Sequence, residues 1–251
     1  MTRVASRTLV TDLKAVEALQ PDWDRLLAAG GGTPFQSHDW VVSWLEAFAD
    51  ETEPLVITVP GDQGLDAILP LCRRGRGSLT FAGHPQNDYG GWVADPGRSG
   101  ALEKLAEALA ALGGRGLLLD QLPERHPAWR GLIEPLARTR AVWSLAPADL
   151  CPAMLLEDPA AARDLYSKRR VANWTNWFER RGRLVFRVEE DAERSGALLE
   201  TLFAQHMRRW DGTDTPSAFR DPRMKAFYRA FVARMMPKGL VRIAVLSLDD
   251  A

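Results

Sequence analysis

The order strand, helix, helix, strand occurs twice along this chain at comparable spacing, and that repetition most constrains the fold. In the first copy residues 7–10 read as a strand. Thr11 or Asp12 caps a helix carrying Val16 and Leu19, and Pro21 restarts it ahead of the apolar stripe Trp23, Leu26 and Leu27. Gly30-Gly31-Gly32 ends that helix. Ser37 caps the next, whose apolar face is Val41, Trp44, Leu45 and Phe48, and a strand is expected over 54–59. In the second copy a strand over 183–188 precedes a helix over 195–210. Asp221-Pro222 opens a further helix to residue 236, and a strand closes the order over 240–248.

The stretch between the copies completes the first domain. Gly61-Asp62-Gln63-Gly64 reads as a hairpin turn into a strand over 65–72. A third strand over 78–81 is extended beyond a loop by 91–94. A helix over 99–112 closes at Gly113-Gly114, and a buried strand is expected over 116–119. Pro127 opens a helix to residue 138 whose last turn Pro135 should disturb. Strands over 141–145 and 153–156 and a helix over 161–181 complete the order. The expectation is an α/β fold of mixed sheets flanked by helices, with one domain at 1–158 and a second opening at 159–251. The run Leu240 to Leu248 meets Asp249-Asp250, which reads as the start of a turn, and a half-buried strand needs a partner. The second domain is therefore expected to be incomplete in this sequence. It would then leave an apolar edge, charged only at Arg242, that suits self-association.

Composition excludes more than it assigns. A hydrophobic share of 46% and a charged share of 26% fit an ordinary globular chain, and a net charge of −1 gives no global pull toward nucleic acid. Cys72 and Cys151 form no CxxC pair and no metal-spaced set with histidine, so neither zinc nor another metal is expected. The first ten residues lack an apolar leader core, and no apolar run reaches the roughly 18 residues of a spanning helix. A reducing, cytoplasmic setting is expected.

Some residues carry two readings. His206 shares a helical face with Leu198, Leu199, Leu202, Phe203 and Trp210. It reads as a general base or as a cleft-lining histidine. Asp88-Tyr89 lies in a glycine-bounded loop and suits a sugar or peptide acceptor, or plain turn chemistry. Between residues 163 and 187 eight basic side chains oppose Asp164 and Glu179, with Val171, Trp174 and Phe178 along one helix face. That stretch suits nucleic acid, an anionic membrane, a phosphate-bearing small molecule or an anionic lipid, or else a solvated face whose tryptophan side packs on the first domain. Trp40 and Trp44 read as core anchors, with sugar stacking as the second reading. His38 and His126 suggest no ligand cluster, and no Walker loop or Ser-His-Asp order is present.

Thr33-Pro34-Phe35-Gln36-Ser37-His38-Asp39-Trp40, Ile68-Leu69-Pro70-Leu71, Asn87-Asp88-Tyr89, Lys168-Arg169-Arg170 and His206 with Arg209-Trp210 follow one another in order. Together they resemble the tandem GNAT-superfamily acyltransferases of bacterial cellulose and exopolysaccharide biosynthesis, relatives of the Fem-type peptidyltransferases. The resemblance implies acyl transfer from acetyl-CoA or another acyl-CoA to an amine or hydroxyl of a small-molecule or glycan acceptor. It carries no nucleic-acid partner and allows peripheral contact with the inner membrane surface. His206 would be the proton acceptor. Phe35, Gln36, Trp40, Asp88, Tyr89, Arg169, Arg209 and Trp210 would bind substrate. GNAT enzymes hold the CoA pyrophosphate at a helix start. The matching loop of the first domain offers Gly97, Arg98 and Gly100, yet it departs from the family pattern at Asp95-Pro96, so that domain is expected to be degenerate. A non-catalytic module holding a glycan or lipid-linked partner is the competing class, and a truncated reading frame the third.

Overall fold

The computed structural model describes residues 9–30, 32–75, 77–98, 100–112, 116–123, 127–139, 142, 144–147, 150, 160, 163 and 169–249, the side chains of 127–130 and 169–170 excepted. They belong to two compact units, one made of 1–148 with 218–231, the other of 149–217 with 232–251.

In the first unit the order is β1 (Leu9–Val10), α1 (Leu13–Glu17), α2 (Gln20–Gly30), α3 (His38–Ala47), β2 (Thr52–Gly61), β3 (Gly64–Arg74), β4 (Leu79–Phe81), β5 (Val93–Ala94), α4 (Ala101–Ala111), β6 (Leu117–Leu118) and α5 (Pro127–Ala137). The expected caps are in place. Asp12 accepts from Ala15 N at 3.0 Å, and Ser37 Oγ from Trp40 N at 3.2 Å. The β2–β3 hairpin closes at Gly61 and Gly64. Only glycine suits position 64: its φ is +111°, and a Cβ there would meet the Asp22 carboxylate.

The sheet order is β1-β2-β3-β4-β6, with β5 also on β3. β4 pairs with β3 at Leu71 to Arg73 and β5 at Ala67 and Ile68, so the two act as one strand interrupted by the loop 82–92. Every neighbour is antiparallel except β4 with β6. Residues 55–59 of β2 and 67–72 of β3 are buried whichever way their side chains point, which requires cover on both faces. On one face Leu55, Ile57, Leu69 and Leu71 pack with Leu105 and Leu109 of α4 and Leu132 of α5. Helices α1 to α3 lie against β2 and β3 as well, burying Val16, Trp23 and Leu26.

Three readings of the first unit change. The strand at 116–119 is not buried: β6 is an edge, and Leu117 and Leu118 are exposed while Leu119 packs on the core. The helix expected from 99 begins at Ala101, after Gly100 in a left-handed conformation. Val142, Ser144 and Leu145 lie in no strand, and the run 153–156 is outside the described residues.

In the second unit α6 (Arg169–Glu179), β7 (Leu184–Glu189) and α7 (Ala192–Arg209) precede α8 (Pro222–Met235), whose residues to Phe231 belong to the first unit, and β8 (Ile243–Leu248). Strand β8 does have a partner. It pairs antiparallel with β7 over six residues, from Leu184 opposite Leu248 to Glu189 opposite Ile243. Leu240 is exposed and precedes the strand, and Arg242 pairs with Glu190 at 2.9 Å. The apolar surface centres on one cross-strand pair, Phe186 and Leu246, both exposed. On α6 Val171, Trp174 and Trp177 are exposed, so its aromatic side is not a buried one. A buried carboxylate, Glu189, ties β7 to α7. It accepts from Arg194, from the N–H groups of Glu190 and Asp191, and from Arg187.

Candidate functional site

The first unit gathers Phe35, Gln36, Trp40, Asp88 and Tyr89 around the loop 82–92. Asn87, buried, holds this loop from below. Its Oδ1 accepts from the Trp40 indole at 2.7 Å, and its Nδ2 donates to Ala82 O at 3.1 Å. The packing leaves no room for a side chain at residue 83. Gly83 has φ +99°, and a Cβ would lie 2.2 Å from Asn87 Oδ1 and 2.5 Å from Trp40 Nε1. Gln36 fastens the other end by donating to Tyr89 O at 2.6 Å, while its own Oε1 accepts from Thr33 N and Oγ1. Gln36 and Trp40 therefore serve the scaffold: both are buried. Trp40 makes edge contacts with Phe35 at 4.9 Å, Phe227 at 4.7 Å and Phe231 at 5.0 Å.

What the loop presents is Asp88 and Tyr89, both exposed, the latter at 45%. The half-buried Phe35 ring lies 6.1 Å from Tyr89. Tyr228 of α8 joins the group, 6.4 Å from Trp40. Burial pushes its phenol above the ordinary value, and the charge of Asp88 adds to the rise. An aromatic ring flanked by a carboxylate can stack on a sugar's C–H face and accept from its hydroxyls. Asn87 and Tyr228, which join this group, carry little signal in the sequence: Asn87 stands out only within the resemblance, and Tyr228 comes from a helix 139 positions after Tyr89.

The helix-start loop at 95–100 is differently disposed. Asp95 takes the Gly97 N–H at 2.9 Å, and the Arg98 guanidinium faces Asp62 at 3.6 Å and Asp66 at 3.7 Å. Gly100 adds no capping side chain. A phosphate here would meet three carboxylates and an N–H already engaged. A shallow depression at residues 49–53 with Arg74 and Gly75 is no better suited to an anion: it bears Asp50, Glu51 and Glu53. Glu51 is held by Arg223 and Arg74, which keep its carboxyl below the usual range.

In the second unit His206 Nδ1 lies 2.8 Å from the buried Ser217 Oγ, and its ring stacks on Trp210 at 5.9 Å. His206 and Trp210 are half-buried and Arg209 is exposed. Arg169 lies in α6, its side chain outside the described set. Among the described residues no group of three or more metal-ligating side chains occurs, and no helix is long and apolar enough to cross a membrane.

Residues 167–251 match the family model of the acetyltransferase (GNAT) domain. No curated protein and no solved structure matches the chain. The family match supports the GNAT superfamily and, in general terms, an acyltransferase that uses an acyl-CoA as co-substrate and passes the acyl group to an acceptor. The mixed α/β architecture fits such a fold.

Proposed function

We propose that this chain is a CoA-dependent acyltransferase of the cellulose and exopolysaccharide type. It would carry an acyl group, acetyl in the simplest case, to an amine or hydroxyl of a polysaccharide or cell-envelope precursor. It uses two tandem GNAT-like domains in sequence, 1–158 and 159–251, of which the second contributes residues 218–231 to the first compact unit and the first is degenerate in its cofactor loop. The observation that carries this reading is the family match at 167–251, over a segment in which a strand, helices and an antiparallel return strand follow one another as between β1 and β2, with two helices in place of three. The acceptor lies against Phe35, Asp88 and Tyr89 of the first unit, and any proton transfer within the second unit falls to His206. The basic stretch between residues 163 and 187 serves CoA phosphates or an anionic membrane surface, and the run Leu240 to Leu248, where Leu246 and its cross-strand neighbour Phe186 are exposed, serves self-association.

A second reading, a non-catalytic module that binds a glycan or lipid-linked partner, is favoured by the engagement of Gly97 and Arg98 within the first unit. Calorimetric titration with acetyl-CoA at near-physiological salt, followed by an assay of CoA thiol release with glycan acceptors, separates the two. Saturable binding with acceptor-dependent thiol release supports the enzyme. Glycan binding without thiol release supports the module.

A further inference from the structure

His84 and Asp120 meet at the carboxyl ends of β4 and β6. These strands run parallel, Leu79 beside Leu117 and Thr80 beside Leu118. Ligands of open α/β sheets gather outside the carboxyl ends of parallel strands. His84 Nδ1 lies 2.9 Å from Asp120 Oδ2, with 29% and 27% of the two side chains exposed. An ionised carboxylate only accepts, so the ring hydrogen sits on Nδ1 and Nε2 is left as the basic nitrogen. A base oriented by a third group is the arrangement that activates hydroxyl nucleophiles. The loop holding His84 is fixed at several points: His84 N to Phe81 O at 3.1 Å, Gly90 N to Gln121 O at 2.8 Å, and the buried Asn87 between them. The same loop presents Asp88 and the exposed ring of Tyr89.

We propose that His84, positioned by Asp120, accepts the proton of a hydroxyl-bearing acceptor, a glycan or polyol, seated against Tyr89. For its acyl donor this rests on the CoA reading above. The acceptor O–H gives its proton to His84 Nε2 while its oxygen forms a bond to the thioester carbonyl carbon. The C–S bond then breaks, and the departing thiolate takes the proton from the imidazolium, so His84 ends neutral. Asp120 keeps the ring in the required tautomer and stabilises its charged form.

The test uses the full chain and two acyl donors. With p-nitrophenyl acetate, water serves as the acceptor and no CoA site is needed. His84→Ala should lower kcat/KM for ester hydrolysis at least tenfold, and added imidazole should restore it beyond the hydrolysis that imidazole catalyses without protein. His84→Gln should lose the rate with its thermal unfolding unchanged. Imidazole should fail to rescue His84→Ala combined with Asp120→Asn. An unchanged rate in His84→Ala, or a loss that imidazole does not restore in a folded variant, would overturn the proposal and leave the pair as a brace for the loop. Calorimetry with acetyl-CoA on the same proteins keeps the two readings apart. Rescuable ester hydrolysis without acetyl-CoA binding keeps the pair and removes the donor. Acetyl-CoA binding with unchanged ester hydrolysis removes the pair and keeps the donor.

Discussion

Replacing Asn87 by alanine should loosen the whole loop 82–92. The side chain is buried and satisfies two groups, the Trp40 indole N–H and the Ala82 carbonyl. Both partners belong to residues that are themselves almost wholly buried, so water cannot readily replace Asn87. Each group left unpaired costs about 1–3 kcal/mol. Some relaxation around the small void offsets part of that, giving an expected loss of about 3 kcal/mol for the first unit. At about 2–4 °C per kcal/mol for a unit of this size, the unfolding midpoint should drop by about 6–12 °C. Urea denaturation followed by tryptophan fluorescence and by far-ultraviolet circular dichroism measures it. Asn87→Asp should be no better, since a carboxylate accepts from Trp40 but cannot donate to Ala82 O and would bring a charge into the interior. A loss below about 1 kcal/mol for Asn87→Ala would mean that the loop is not held by this residue, and the rigidity ascribed to Asp88 and Tyr89 would fall with it.

Three further outcomes are expected. Phe227→Ala, which removes a fully buried ring packed on Trp40 and Trp44, should cost about 3–5 kcal/mol in the same urea assay. The hydrogen bond from Arg194, with the Asp191 N–H, holds the Glu189 carboxyl down at about 2. A depressed carboxyl stabilises the fold above its ordinary value of 4.5, and that contribution is lost as pH falls toward about 2. Melting curves of Glu189→Gln should therefore lie below wild type at pH 7 and converge on it across that window. Arg98→Ala should leave acetyl-CoA affinity unchanged by calorimetry, because Arg98 is already committed to Asp62 and Asp66; a clear weakening would place a phosphate site at this loop.

Local chemistry made much of the first unit legible. Asp12 and Ser37 cap the helices they were expected to cap, and the glycine pair at 61 and 64 closes the expected hairpin. These features depend on neighbours within a few residues. Leu117 and Leu118 read as interior because a run of leucines looks alike at the centre of a sheet and at its rim. Position is set by the pairing with β4, which the run does not encode. The site divided similarly. Tyr89 and Asp88 stood out as an aromatic and an acid in a glycine-bounded loop. Gln36 and Trp40 proved to be fasteners, a role visible only once Tyr89 O and Asn87 Oδ1 are known to lie opposite them. His84 and Asp120, 36 positions apart, gave no signal until the parallel strands brought them together.

The aromatic contact between Trp40 and Phe231 also has a bearing on how the chain comes off the ribosome. The first unit includes residues 218–231, so its aromatic face is not covered until a segment far downstream has been made. At about 5–20 residues per second, roughly 10–40 s separate the synthesis of Phe48 from that of Phe231. For that interval Trp40 and Trp44 lack the rings that later enclose them. A nascent chain stalled in this window should be a preferred client of a ribosome-associated chaperone, and release of that chaperone should coincide with the emergence of α8.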